Sequence, residues 1–162
     1  MGVCPMCNEN MPPRGVINPV IKDLCQQCTG TVEVRMVADI CEYLEILPAP
    51  ILVVDKQNVV RGANSEARRT VSQNLEAIAN RRGGDVFECV YAALPEGCGR
   101  TVHCSGCTLR RAILDTLSTG KSMCDAPVEV IQRVDGRDCP VQFTISTQRL
   151  ANCVLLKIEE GL

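Results

Sequence analysis

Tryptophan is absent from this 162-residue chain, histidine occurs once, and there are only two tyrosines and two phenylalanines. So few aromatic rings leave little to stack on a nucleotide base or a flavin. Charge of one sign is also missing. The net charge is −2, and the pairs Arg68–Arg69, Arg81–Arg82 and Arg110–Arg111 are scattered without aromatic neighbours, so nucleic-acid binding is not indicated. No apolar run approaches the roughly 20 residues that cross a bilayer, and the N-terminus has no basic, apolar and small-residue signal. A cytoplasmic protein without a membrane segment is expected. P-loop, Rossmann, Ser-His-Asp and paired-carboxylate patterns are all lacking, which argues against an enzyme.

What the chain does have is cysteine, twelve in all. In a reducing compartment that density favours metal ligation or redox chemistry over disulfides. The first group lies in residues 1–30, where Cys4/Cys7 and Cys25/Cys28 form two CxxC pairs in a proline-rich segment with little apolar material. Each pair can fold into a tight knuckle whose backbone N–H groups face sulfur, and two knuckles complete a tetrahedral zinc site. A segment this short can fold around its metal.

Residues 31–47, TVEVRMVADICEYLEIL, place Val37, Ile40, Cys41, Leu44 and Leu47 at steps of three and four, the stripe of an amphipathic helix ended by Pro48 and Pro50. That stripe can pack on its own domain or seat a second copy as a dimerisation helix. From Ile51 the pattern turns to strands. ILVVD is a buried strand, KQN a turn, and VVRGAN a second strand closing a hairpin, followed by SEARRTV in helical register. Ser65 is placed to cap that helix, and Asp55 or Asn64 to fix the turn. TLRRAILDTLST, residues 108–119, is a helix with Ala112, Ile113 and Leu117 inward and Gly120 as its stop. APVEVIQRV, CPVQFTIST and CVLLKIEE read as three further strands, joined through the DGR turn at 135–137 and through RLAN. The expected fold is α+β: one five-stranded antiparallel sheet with helices on one face. It comes after a knuckle segment at 1–30 and a connecting helix at 31–47, and occupies residues 48–162.

The run LPAPILVVDKQNVVRGANSEARR resembles the opening of a PAS domain, the small sensory fold of bacterial signalling proteins. Its hydrophobic pair, Asp55 before the turn and Asn64 after the second strand carry the resemblance, which covers residues 41–160. GGDVFECVYAALPEGCGRTVHCSGC is similar to a cysteine-bearing subgroup of these domains, matched by Gly84, Asp85, Cys89, Ala92, Gly97, Cys98, Gly99, Cys104 and Cys107. Many such domains precede histidine kinase or phosphatase modules. None is present within these 162 residues, so the resemblance implies a non-enzymatic regulatory module, dimeric through the 31–47 helix and the sheet, with a separate signalling partner.

The same cysteines point to a metal without the family. Cys104 and Cys107 form a CxxC knuckle, Gly97 and Gly99 bracket Cys98, and Cys89, on a predicted helix, supplies a fourth thiolate. Four soft ligands select zinc or an iron–sulfur cluster. Zinc would only brace the segment; the sensory resemblance favours iron–sulfur, responsive to redox state or oxygen. A metal-free dithiol switch stays open, because the CxxC opens the 108–119 helix beside Arg110 and Arg111. So do an interaction adaptor with structural zinc only and a thiol–disulfide oxidoreductase at Cys104/Cys107. His103 reads as a neighbour of the site rather than a ligand. No CxxC is followed by His, so c-type haem is not indicated, and Cys41, Cys124, Cys139 and Cys153 are assigned to packing.

Overall fold

The computed structural model describes residue 40 and residues 42–160. The chain divides after Ile40, and the second unit carries the fold. The expected zinc ligands Cys4, Cys7, Cys25 and Cys28, and Val37 and Cys41 of the 31–47 stripe, lie outside the described residues. Among the described residues, no helix is long and apolar enough to cross a membrane.

Five strands form one antiparallel sheet: β1 (Ile51–Asp55), β2 (Val60–Ala63), β3 (Met123–Val134), β4 (Arg137–Leu150) and β5 (Cys153–Glu160), in spatial order β2-β1-β5-β4-β3. The α+β architecture is thus the one expected. Between β2 and β3 run three short helices, α1 (Ser65–Thr70), α2 (Leu75–Ile78) and α3 (Gly83–Val86). Two 3-10 turns come next, Val90–Ala93 and Val102–Gly106, and then the twelve-residue α4 (Thr108–Thr119).

Alternation along the strands sends one side of the sheet into the core. Ala126, Val128 and Val130 of β3 face Phe143 and Ile145 of β4 and Val154, Leu156 and Ile158 of β5 on that side. Leu109, Ala112 and Ile113 of α4 close over them, each at most 4% exposed. Leu117 is only partly buried against this cluster. Phe87, just after α3, stacks on Phe143 with ring centroids 5.2 Å apart. Each such fully buried side chain contributes roughly 1.5–3 kcal/mol. A buried polar pair on this side, Thr116 and Thr147, is satisfied internally, hydroxyl to hydroxyl at 2.6 Å.

Local chemistry explains the joints. Asp135 and Gly136 both take positive φ, 50° and 77°, so the Asp-Gly turn is of the primed kind that suits the twist of a hairpin. In the β1–β2 turn, Asp55 Oδ1 accepts from the N–H groups of Gln57 and Val59 at 2.8 and 3.0 Å. The cap of α1 is Asn64 and not Ser65: Asn64 Oδ1 accepts from Ala67 N, while Ser65 turns its hydroxyl to Glu45. Gly120 ends α4 in the left-handed region, as expected. β3 begins earlier than the strand pattern alone indicates, because a bulge at Cys124–Asp125 carries the pairing on to Met123.

Candidate functional site

The site is built from the irregular stretch between α3 and α4. Gly83 and Gly84 open α3 and are buried, and the missing side chain at Gly84 lets Cys98 approach the α3 backbone. Gly97 (φ 76°) and Gly99 (φ 86°) turn the chain sharply on either side of Cys98 in conformations that side chains with a Cβ rarely adopt. The CSGC run folds as the 3-10 turn Val102–Gly106. Cys107 then becomes the N-cap of α4, its sulfur accepting from Arg110 N at 3.4 Å.

Cys89, Cys98, Cys104 and Cys107 line one cavity of about 290 Å³, together with His103, Asn58 and the β3 residues Glu129, Val130 and Ile131. The four residues named from spacing are therefore brought to one place. All four are partly buried free thiols. Cys89 differs from expectation in one respect: it precedes the 3-10 turn Val90–Ala93 instead of lying on a helix, and its backbone bridges to Gln132 of β3. Gln132 adds a side-chain bond, Nε2 donating to Phe87 O at 2.9 Å, so this corner of the site is tied to the sheet.

Backbone donors meet three of the sulfurs. Gly84 N donates to Cys98 Sγ at 3.3 Å, Gly99 N to Cys104 Sγ at 3.1 Å, and Arg110 N to Cys107 Sγ. The Thr101 hydroxyl lies 3.2 Å from Cys104 Sγ. These contacts separate two thiols of one cavity. Burial pushes the Cys98 thiol up, against the Gly84 N–H, with Cys104, Asp85 and Cys107 adding to the rise. Burial also opposes ionisation of Cys104, but the Thr101 and Gly99 hydrogen bonds and the Arg110 charge outweigh it and leave that thiol below its ordinary value.

The donor set is that of a soft metal: four sulfurs around one space, with N–H groups on three of them. Among the described residues, no three Cys, His, Asp or Glu side chains stand in a geometry that could hold a metal ion as they lie. Ligation of one metal by these cysteines would therefore require side chains to move from the positions seen here. His103 lies against Tyr91, the rings stacked with centroids 3.9 Å apart and planes at 11°. Sequence reasoning missed Tyr91, Thr101 and Asn58. Asn58 reads only as a turn residue, and its meeting with Cys98 spans 40 positions.

The sheet order and the helical segment on one face define a PAS-like α+β architecture. No family model and no curated protein matches the chain. Solved structures similar to it include PAS domains. That of nitrogen regulation protein NR(II) from Vibrio parahaemolyticus is 20% identical, with a TM-score of 0.42 over 75% of this chain and 96% of its own. The PAS domain from Bordetella pertussis BvgS is 13% identical, with a TM-score of 0.41 over 78% of this chain and 85% of its own. The photoactive yellow protein domain of the sensor histidine kinase Ppr from Rhodospirillum centenum is 16% identical, with a TM-score of 0.43 over 81% and 98%.

Proposed function

We propose that this chain is a non-enzymatic sensory or regulatory module of the PAS type, in which Cys89, Cys98, Cys104 and Cys107 hold a metal and report redox state or oxygen. The observation that carries the reading is the convergence of those four cysteines on one cavity between the helical segment and β3. An iron–sulfur cluster is favoured over zinc, because its iron can itself gain or lose an electron whereas zinc has no redox chemistry of its own. Cys4, Cys7, Cys25 and Cys28 take a structural zinc in this reading. Loss or oxidation of the cluster would loosen residues 89–112. The bridge from Cys89 to Gln132 would pass that change to β3, an edge strand, and so to a second copy or a separate signalling partner.

A second reading rests on the pairing of Cys104, whose thiol is lowered by Thr101, Gly99 and Arg110 in the turn before α4, with Cys107 at the N-cap of that helix, which suits a metal-free switch. One preparation separates the two. The chain is purified without oxygen, its visible spectrum recorded, and iron, zinc and acid-labile sulfide measured. Broad visible absorption with matching iron and sulfide is expected. A colourless zinc protein would turn the site into a brace and the chain into an interaction adaptor; a folded, metal-free protein would leave the thiol switch.

A further inference from the structure

Asn58 is 4% exposed and sits at the β1–β2 turn with φ 60°, a left-handed conformation that asparagine tolerates better than most residues. Its backbone is fully engaged: the N–H donates to Asp55 O at 3.0 Å and the carbonyl accepts from Gly83 N at 3.0 Å. Its side chain faces the cysteine cavity. There Nδ2 points at Cys98 Sγ, 3.9 Å away, while Oδ1 is buried with no hydrogen-bond partner among the described residues. Leaving such an oxygen unpaired costs about 1–3 kcal/mol, so an amide held this way for packing alone would be a poor choice. Two glycines make the arrangement sterically feasible. A Cβ on Gly83 would fall 2.9 Å from Asn58 Oδ1, and one on Gly84 would fall 2.7 Å from Cys98 Sγ.

From this arrangement we infer that Asn58 is a positioning residue of the cysteine site: its amide N–H, with the Gly84 N–H, holds and polarises the Cys98 sulfur for ligation. The inference rests on the reading of the four sulfurs as a metal site, and it deepens that reading by naming what presents one of them. Donors to a ligating sulfur disperse its charge and orient it, and removing such an outer partner commonly weakens metal binding by about 10- to 100-fold.

The test uses the full chain as wild type, Asn58→Gly and Asn58→Asp. Glycine keeps the left-handed turn and opens the cavity; aspartate keeps the size and has no amide to donate. Reduced, metal-free protein is treated with iodoacetamide at one pH, and labelled cysteines are mapped by peptide mass spectrometry. Simple exposure would speed Cys98 labelling in Asn58→Gly. The lost donor predicts the opposite, Cys98 slowed about threefold relative to Cys107 of the same molecule in both variants. Slowing in Asn58→Asp alone would assign the effect to the new carboxylate and overturn the inference, as would an unchanged Cys98 to Cys107 ratio. In a second arm, zinc(II) is withdrawn by graded chelator while the protection of Cys98 from iodoacetamide is followed, which reads this site apart from Cys4, Cys7, Cys25 and Cys28. Zinc affinity should fall about tenfold in both variants, and Asn58→Gly holding zinc at Cys98 as wild type does would also overturn it. If the wild-type chain takes up no metal, the metal reading fails by itself, and the labelling arm still decides the role of Asn58.

Discussion

Tyr91 and His103 stack face to face across the cysteine loop, twelve positions apart in the chain, with centroids 3.9 Å apart. The pair closes the stretch that carries Cys98, so the single histidine has a structural occupation that needs no metal. Replacing Tyr91 with Ala should cost about 0.5–1.5 kcal/mol, the usual worth of such a pair beyond its buried area. His103→Phe should retain most of that stability and all of the metal content. Metal analysis of His103→Phe decides the role: a fall in bound metal would make His103 a ligand.

The Gly84–Cys98 contact gives a steric prediction. Gly84 lies in α3 with no positive φ, so alanine suits its backbone, yet the added methyl carbon would stand 2.7 Å from Cys98 Sγ and 3.2 Å from Ala92 Cβ. Gly84→Ala should therefore destabilise the fold by about 1–3 kcal/mol, the range for overpacking, and also displace Cys98. Urea unfolding and metal content are the readouts. A neutral effect on both would mean that the Cys98 loop yields freely.

Asn64 joins the segment ahead of the sheet to the fold. Its Oδ1 accepts from Ile51 N and Ala67 N, both at 3.0 Å, and its Nδ2 donates to Leu44 O and Ala49 O at 3.0 and 2.7 Å. It is 1% exposed, so truncation leaves four backbone groups without their partner. Asn64→Ala should cost about 2–4 kcal/mol, a lost helix cap together with buried unpaired groups. A loss below about 1 kcal/mol would show that water replaces the amide.

Much of this architecture is legible from pattern, and the part that is not depends on meetings between distant residues. The alternation in 126–134 and the Asp-Gly pair at 135–136 carry their own geometry, so that hairpin can be placed from the sequence. The longer span of β3 cannot, because the bulge at Cys124–Asp125 is a property of its pairing with β4. The spacing of Cys104 and Cys107 marks a knuckle by itself, and glycines on both sides of Cys98 mark a tight turn. Asn58 carries no such signal, since an asparagine after Asp-Lys-Gln is explained in full by the turn. VFECVYAAL is apolar enough for a helix, which is why the pattern puts Cys89 on one; the backbone instead leaves the helix at Phe87, with Glu88 at φ 54°, and bridges to Gln132. Tertiary pairing with β3 overrides local propensity there.

Glu45 gives the fold a pH dependence of known sign. The Ser65 hydroxyl and N–H both donate to its carboxylate, and Arg68 Nη2 lies 3.2 Å from Oε1. The Ser65 hydroxyl first, then the Ser65 N–H, hold this carboxyl below its ordinary value against the opposing effect of burial, with the Arg68 charge adding to the lowering. A carboxyl lowered by folding contributes stability above its unfolded pKa, about 4.3, and loses it as pH falls through the lower folded value. The Glu45 side chain is 35% exposed, so solvent screening keeps the contribution to about 0.5 kcal/mol. Wild type and Glu45→Gln should differ by that amount in urea unfolding at pH 7, and the difference should shrink once the pH drops below about 4. A difference that persisted or grew on acidification would mean that Glu45 acts through packing of its stem on Ser65 and Arg68, not through its charge.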